Sequence, residues 1–296
     1  MFANKVQYMK IAFVGHKTQE KDIPDSFSDE YENIQLLAYL KEKGLDIEPV
    51  IWNDETIVWN DFDVVVIKSP WDYHENIQAF YDWLEKIKAL NIRMLNAAGL
   101  LKWNSNKHYL KEISESGLAV IPSAYLSPGA VIGEELFDQF DTEKLVVKPC
   151  ISAGARNTAI LTRENFSAQA IFVENLLRKE DVIIQPFVPE IKSGEWSYLF
   201  FNGNYSHCVL KTPQQGEFRV QHQYGGTVSY PNPDARYIDQ ATQYVKRFAP
   251  DTLYARVDGV MIRDRFTLME LEIMEPYLFL NADRTLFENY YRALMA

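Results

Sequence analysis

One segment in the last third of this 296-residue sequence is compatible with very few structures. Residues 253–262 and 266–274 each alternate between apolar and charged positions, and a period of two marks strands with one covered face and one polar face. Arg256 and Asp258 share a face of the first run, and Glu270 and Glu272 share a face of the second. Val257, Leu271 and Ile273 point the other way. With a three-residue turn at 263–265, or a neighbouring odd-length turn, Asp258 pairs with Glu270 and Arg256 with Glu272. Three carboxylates then converge. Two bare carboxylates about 4 Å apart repel by roughly 4 kcal/mol at an effective dielectric near 20, so such a cluster needs a cation. Oxygen-only ligands select magnesium or calcium over zinc. The alternative is an ordinary solvated face on which Arg256 neutralises the acids.

Upstream, strand and helix patterns alternate. The run KIAFV at 10–14 suggests a buried strand, followed by a helical pattern through Tyr31, Ile34, Leu37, Ala38 and Leu40 that Gly44 stops. Strands at 47–52 and 64–68 and an amphipathic helix through Phe80, Trp83, Leu84 and Ile87 complete an α/β unit with an open parallel sheet. The chain has no Walker loop and no GxGxxG; GHKT at 15–18 is only a fragment of the former. After Asn96 the pattern becomes short helices and then strands of antiparallel, α+β type, with hairpins at 196–211 and 253–274 and a closing helix near 286–294. The expected domains are 1–96, 97–185 and 186–296.

The formal charge of -11 argues against a general nucleic-acid binder, whose affinity comes from basic residues. The longest apolar runs are strand-sized, far short of the about 20 residues of a membrane span. Cys150 and Cys208, with no spacing ladder and no signal peptide, read as free thiols in a reducing compartment, so a cytoplasmic location is expected.

Three further segments carry chemistry. KLVVKPCISAGARN puts Lys148 at a strand end, followed by small residues including Ser152, Ala153, Gly154 and Ala155, where backbone N–H groups can approach an anion. An ordinary connection with an exposed lysine is the competing reading. VIIQPFVPE runs from a strand into an extended hinge able to read an adenine edge from Gln185 to Val188; Pro186 cannot donate, so Phe187 or Val188 must, and Glu190 could accept from a ribose hydroxyl. Lys107, Lys211, Arg219 and Arg256 supply the cations a polyphosphate requires. His207 is read as a structural histidine.

In order along residues 97–280, Lys107, Lys148-Pro149, the small-residue loop, Gln185 to Val188, Lys211, Asp258 and Glu270-x-Glu272 resemble the ATP-grasp superfamily. Within it, SPWDYHEN, LKWNSNKHYL, SHCVLKTPQQGEFRVQHQYGG, YARVDGV and ELEIMEP are similar to the cyclo-ligase of cycloserine biosynthesis, and the final hairpin to bacterial glutathione synthetase. The resemblance implies an N-terminal open sheet followed by two α+β subdomains that clasp ATP. It implies that Lys107 and Lys148 contact the phosphates, that Ser152 and Gly154 fold over them, and that Gln185, Phe187, Val188 and Glu190 hold adenosine. Asp258, Glu270 and Glu272 would bind Mg2+, with Arg256, Arg219 and Lys211 facing the carboxylate or the transferred phosphoryl group. Two departures stand out: the loop is poor in glycine, and Glu272 stands where glutathione synthetase has asparagine.

The expected reaction is an ATP-dependent ligation of a small amino-acid-like or peptide carboxylic acid to an amine through an acyl phosphate, between two molecules or within one. Trp71 and Tyr73, after the strand at 64–68, and Arg219 and Gly226 are candidate substrate contacts. A loop such as 152–156 or 212–226 would exclude water. A homodimer is compatible with the sequence. A small-molecule phosphotransferase and a non-catalytic nucleotide-binding module are the alternatives, separable by product analysis.

Overall fold

Strands β1 (Lys10–Gly15), β2 (Asp46–Ile51), β3 (Val64–Ser69) and β4 (Arg93–Leu95) form a parallel sheet in the order β2-β1-β3-β4 in the computed structural model. The structure describes residues 9–17, 28–154, 156–220 and 224–296. Thr18, Ala155 and residues 221–223 of the segments singled out above therefore lie outside the described residues. All six residues of β3 are buried, as an inner strand of a parallel sheet covered on both faces requires. Helix α1 (Asp29–Glu42) starts where the Ser28 hydroxyl accepts from the Tyr31 N–H at 3.2 Å. It stops at Gly44, whose φ of 84° lies in the left-handed region. Helix α2 (Ile77–Ala89), capped by the Asn76 side chain, buries Phe80, Trp83, Leu84 and Ile87 against the sheet.

Helices α3 (Ala98–Asn104) and α4 (Tyr109–Glu115) lead to a second, antiparallel sheet. It contains β5 (Ala124–Leu126), β6 (Lys144–Pro149), β7 (Ala159–Thr162) and β8 (Val182–Pro186) in the order β5-β8-β6-β7. Helices α5 (Glu135–Gln139) and α6 (Phe166–Leu177) close its apolar side. The third sheet, order β11-β10-β9-β12-β13, is formed by β9 (Glu195–Phe201), β10 (Asn204–Thr212), β11 (Thr227–Ser229), β12 (Tyr254–Ile262) and β13 (Arg265–Glu272). Helix α7 (Ala235–Phe248) and α4 pack on one of its faces, over Tyr198, Phe200, Ala255, Val257 and Leu271. The terminal helix α8 (Arg284–Met295) packs with β1, β3 and α1 in a core that also takes in Leu199 and Val209 from the opposite face of the third sheet. No described helix is long and apolar enough to cross a membrane.

Both hairpins are tighter than the sequence suggests. Asn202 and Gly203 alone turn β9 into β10, both at positive φ. Arg263 and Asp264, at φ 48° and 62°, turn β12 into β13, so the turn has two residues rather than three. Unbroken pairing from Ile262 opposite Arg265 would carry Asp258 to Met269 and put the acids on opposite faces. A bulge corrects this: Gly259 pairs with Leu268, Asp258 skips to Glu270, and Arg256 meets Glu272. The expected partners are thus restored by an extra residue, not by turn length. Gly259 is required there, since a Cβ would stand 2.3 Å from the Thr267 carbonyl oxygen and 2.6 Å from the Phe266 ring.

The first and third sheets are tied through buried polar groups. The Asn96 side-chain amide donates to the carbonyls of Tyr254 (3.0 Å) and Ile273 (2.6 Å) and accepts from the Leu253 N–H at 2.6 Å. The Tyr254 hydroxyl stands within hydrogen-bonding distance of the carbonyls of Ile67 and Met274, at 2.6 and 2.8 Å. Lys68 and Glu32 form a fully buried ion pair at 3.3 Å. Lys68 also donates to the Pro276 carbonyl, and Glu32 accepts from the N–H groups of Leu278 and Leu280. Removing one member leaves an uncompensated charge in the core, so Lys68→Met should cost about 3–5 kcal/mol, read as a lower urea midpoint at unchanged m-value.

Candidate active site

A cavity of about 730 Å³ lies where the three sheets meet. Its floor is the polar face of the third sheet, and the period-two alternation of β9, β10, β12 and β13 delivers its side chains. Asp258 sits centrally, opposite Ser197 on one side and Glu270 on the other. The Ser197 hydroxyl donates to Asp258, the Arg256 guanidinium holds Asp258 at 2.9 Å and Glu272 at 2.6 Å, and Lys211 lies 3.8 Å from Asp258. Lys211 is also paired with Glu195 at the start of β9. Burial pushes the Asp258 carboxyl up, but Arg256 and Lys211 outweigh it and hold the group below its ordinary range. Burial pushes the Lys211 ammonium down, and Asp258 and Glu195 reverse that.

The acids therefore share a face without converging on a common point. Glu270 is engaged by Lys107 at 3.3 Å, and Asp258 and Glu272 are both engaged by Arg256. Among the described residues, no three acidic, histidine or cysteine side chains are grouped closely enough to hold a metal ion. The expectation of three converging carboxylates is corrected to this extent: each is neutralised by a basic neighbour. Charge crowding nevertheless persists. Burial, reinforced by Asp258, Glu270 and Glu275, pushes the Glu272 carboxyl well above the usual carboxylate range despite Arg256. For Glu270, burial is outweighed by Lys107 and Lys148, which hold it low.

The second sheet forms the wall. Lys107 donates through Nζ to the Ser152 carbonyl at 3.0 Å, linking the small-residue loop to Glu270. Ser152 and Gly154 line the cavity, Gly154 at φ 62° and facing Trp71. Lys148 also lines the cavity and has no hydrogen-bond or ion-pair partner among the described residues. Burial lowers its pKa, with Glu270 pulling the other way. At the hinge, Gln185, Phe187 and Val188 face the cavity. The Phe187 N–H is not available to a ligand, because it donates to the Lys144 carbonyl at 2.8 Å. Of the two donors considered for the hinge, only the Val188 N–H is unpaired among the described residues.

Glu190 and Gly226 are not among the cavity residues. Glu190 falls in a 3-10 turn, Pro189–Ser193, from which Ile191 rather than Glu190 lines the cavity. Gly226 directly precedes β11, whose pairing with β10 fixes the local chain path. Arg219 does line the cavity, bound to Glu217 at 2.6 Å and stacked 3.6 Å over the Tyr224 ring. Trp71 and Tyr73 close the side facing the parallel sheet.

His207 lies outside this lining and has a structural role. Its Nε2 stands 2.9 Å from the Leu278 carbonyl, and burial lowers its pKa to about 4. Both cysteines are free and buried. Three cavity acids escaped the sequence reading, Glu30, Glu195 and Glu275. Glu195 was legible in principle, since it precedes Ser197 by two on the polar face of β9. Glu275 lies beyond the end of β13, where strand periodicity no longer predicts direction.

Comparison with known proteins adds an independent line. A family model for the N-terminal domain of D-cycloserine synthetase DcsG matches residues 11–96, and one for the ATP-grasp domain of prokaryotic glutathione synthetase matches residues 120–256. The cycloserine biosynthesis protein DcsG of Streptomyces lavendulae is 28% identical over 270 residues, covering 84% of this chain and 88% of that protein. The crystal structure of D-cycloserine synthetase DcsG superposes with a TM-score of 0.82 at 25% identity, covering 96% of this chain and 98% of the other. A D-alanine–D-alanine ligase from Bacillus anthracis, complexed with ATP, shares the fold at a TM-score of 0.72 and 15% identity, covering 97% and 96% of the two chains.

Proposed function

We propose that this chain is an ATP-grasp ligase that forms carbon–nitrogen bonds, joining a small amino-acid-like carboxylic acid to an amine through an acyl phosphate, as its similarity to D-cycloserine synthetase and prokaryotic glutathione synthetase supports. One observation carries the proposal: Lys107, Lys148, Lys211, Arg219 and Arg256 enter the same cavity as Asp258, Glu270 and Glu272. Basic side chains gathered beside acidic ones in a single cavity of a chain of net charge -11 suit a polyanion that is bound together with a metal cation.

ATP is here a co-substrate. Lys107 and Lys148 bind its phosphates, Ser152 and Gly154 cover them, and the Val188 N–H and the apolar walls at Phe187 receive the adenine. The acid donors suit a hard cation, and the crowding that pushes the Glu272 carboxyl up is the kind a divalent ion relieves. Glu270 and Glu272, with Asp258 behind them, would hold Mg2+ together with nucleotide phosphates, which supply the ligands the protein lacks. When bound, magnesium neutralises oxygens of the triphosphate.

Chemistry proceeds in two displacements. A carboxylate oxygen of the substrate attacks the γ-phosphorus and ADP leaves; the amine then attacks the acyl carbon, phosphate leaves and the amine loses a proton. Arg256 and Arg219 stabilise the oxygens that gain charge, and Lys211 keeps Asp258 ionised. No nucleophilic side chain is needed. Burial pushes the Cys150 thiol up to about 12, so it is not a thiolate at neutral pH. Cys150→Ser should keep ADP release within about twofold of wild type, and its loss would require a different mechanism. Two free thiols and dependence on ATP fit a reducing compartment such as the cytoplasm.

The test is a coupled ADP assay over pairs of acids and amines with product analysis. ADP formation that requires both partners supports ligation. A stable phosphorylated product from the acid alone would show a phosphotransferase instead.

A further inference from the structure

Strand β13 ends the order of the third sheet, so the backbone groups along its outer side have no further strand of that sheet to pair with. An open edge beside a reaction site is free to slip, and one residue of slip reverses the face of every side chain. Here the edge is occupied by the chain that runs from α3 through α4 and past it. Before the bulge the partners are backbone: Leu268 donates to the Ala119 carbonyl at 2.9 Å and accepts from the Ile121 N–H at 3.0 Å. Beyond the bulge they are side chains. The Asn104 amide donates to the Leu271 carbonyl at 2.7 Å and accepts from the Ile273 N–H at 3.2 Å, and the Tyr109 hydroxyl accepts from the Leu271 N–H at 3.0 Å.

The outward-facing groups thus pass from an even position, Leu268, to odd ones, Leu271 and Ile273, which is the change of phase that the bulge imposes. Asn104 and Tyr109 hold the second phase, in which Glu270 and Glu272 emerge on the cavity face. Both side chains are buried, so a bond lost there is not freely replaced by water. Between them in sequence, Lys107 reaches Glu270 at 3.3 Å and the Ser152 carbonyl at 3.0 Å. All three line the cavity. One stretch of six residues therefore supplies a cation to the site and also fixes the strand that carries the acids, so the two cannot drift apart independently.

We propose that Asn104 and Tyr109 are positioning residues for the acids of β13, holding the strand in register past the bulge so that Glu270 and Glu272 face Mg2+ and the nucleotide together. Neither side chain needs to touch the reacting atoms. A site whose acids are held by a supporting layer binds its cation without first ordering the strand, and loosening that layer weakens metal binding more than it weakens the fold. The inference rests on the metal and nucleotide reading of the proposed function and deepens it.

The experiment titrates Mg2+ into the protein with a saturating nonhydrolysable ATP analogue and follows the thermal shift. Tyr109→Phe keeps the ring that packs on Trp103 and removes only the hydroxyl. It should raise the Mg2+ concentration at half-maximal shift about 10-fold and speed exchange of the Leu271 amide, with binding of the analogue in the absence of metal unchanged. Asn104→Asp, which sets an acceptor against the Leu271 carbonyl, should raise it further; if that variant does not fold, Tyr109→Phe decides alone. Tyr125→Phe is the control: its hydroxyl donates to the Lys107 carbonyl at 3.3 Å in the same stretch and makes no bond to β13 among the described residues. It should keep the wild-type midpoint. A wild-type midpoint in Tyr109→Phe overturns the proposal, and so does an equal rise in Tyr125→Phe, which would show general loosening of the stretch. Failure of the underlying reading looks different, because the wild type itself would then show no Mg2+-dependent shift. No acid or amine enters the measurement, so a panel in which no pair releases ADP would defeat ligation and leave this result standing.

Discussion

Replacing Lys148 by alanine should lower ATP turnover by about 10²- to 10³-fold while leaving the unliganded protein at least as stable as the wild type. The two effects have one cause. Lys148 lines the cavity as a cation without an ion-pair partner among the described residues, and burial depresses its pKa. A folded-state pKa below the unfolded value means that the protonated lysine costs stability at neutral pH. That cost fades as pH rises through the folded pKa toward 10.5, because the unfolded chain there binds more protons. Lys148→Ala should therefore show no drop in Tm at pH 7 and should lack the wild type's gain in stability on going alkaline. The charge is tolerated because it serves a phosphate, so adding an ATP analogue should stabilise the wild type far more than the variant. A variant with full turnover in the coupled ADP assay would remove Lys148 from the site.

Gly259→Ala should destabilise the protein by about 3 kcal/mol and lower turnover in whatever remains folded. Its Cβ would collide with the backbone oxygen of Thr267 and with the Phe266 ring, neither of which is a flexible side-chain tip. Relief requires opening the bulge, and a bulge that slips by one residue sends Glu270 and Glu272 to the apolar face occupied by Leu271. The change lies outside the cavity lining, so its effect on activity must pass through strand register. Urea denaturation and ADP release measured on the same preparation will show it. Wild-type values for both would mean that the register does not depend on this glycine.

Gly259 also shows where sequence reasoning stops. Alternation placed Arg256, Asp258, Glu270 and Glu272 on one face, and the pairing of Asp258 with Glu270 followed from an assumed odd turn. The actual turn is even, and the bulge at Met269 compensates for it. Turn length and bulge are separate local decisions, and the hydrophobic pattern constrains only their sum. The parallel order of β1 and β3 was legible from continuous apolar runs, whereas β5 and β11, three residues each, are too short to impose periodicity. At the hinge, composition identified the segment, but only the backbone reveals that Lys144 takes the Phe187 N–H. Glu275 escaped because it lies past the end of β13, where strand alternation no longer applies, in a segment tied to β3 by the bond from Lys68 to the Pro276 carbonyl.

Asn96, Tyr254 and the Lys68–Glu32 pair weld the first and third sheets into a single frame. Among the described residues the β5–β8 sheet shares no strand hydrogen bond with either of the others; one face has its own core, and Ile183 from the other packs into the core of the third sheet. The second sheet is thus joined to that frame by side-chain packing and by contacts such as Lys107, which links Ser152 to Glu270. Amide exchange should follow that division. Protection gained on nucleotide binding should concentrate in the β5–β8 sheet, while the welded frame exchanges only by global opening.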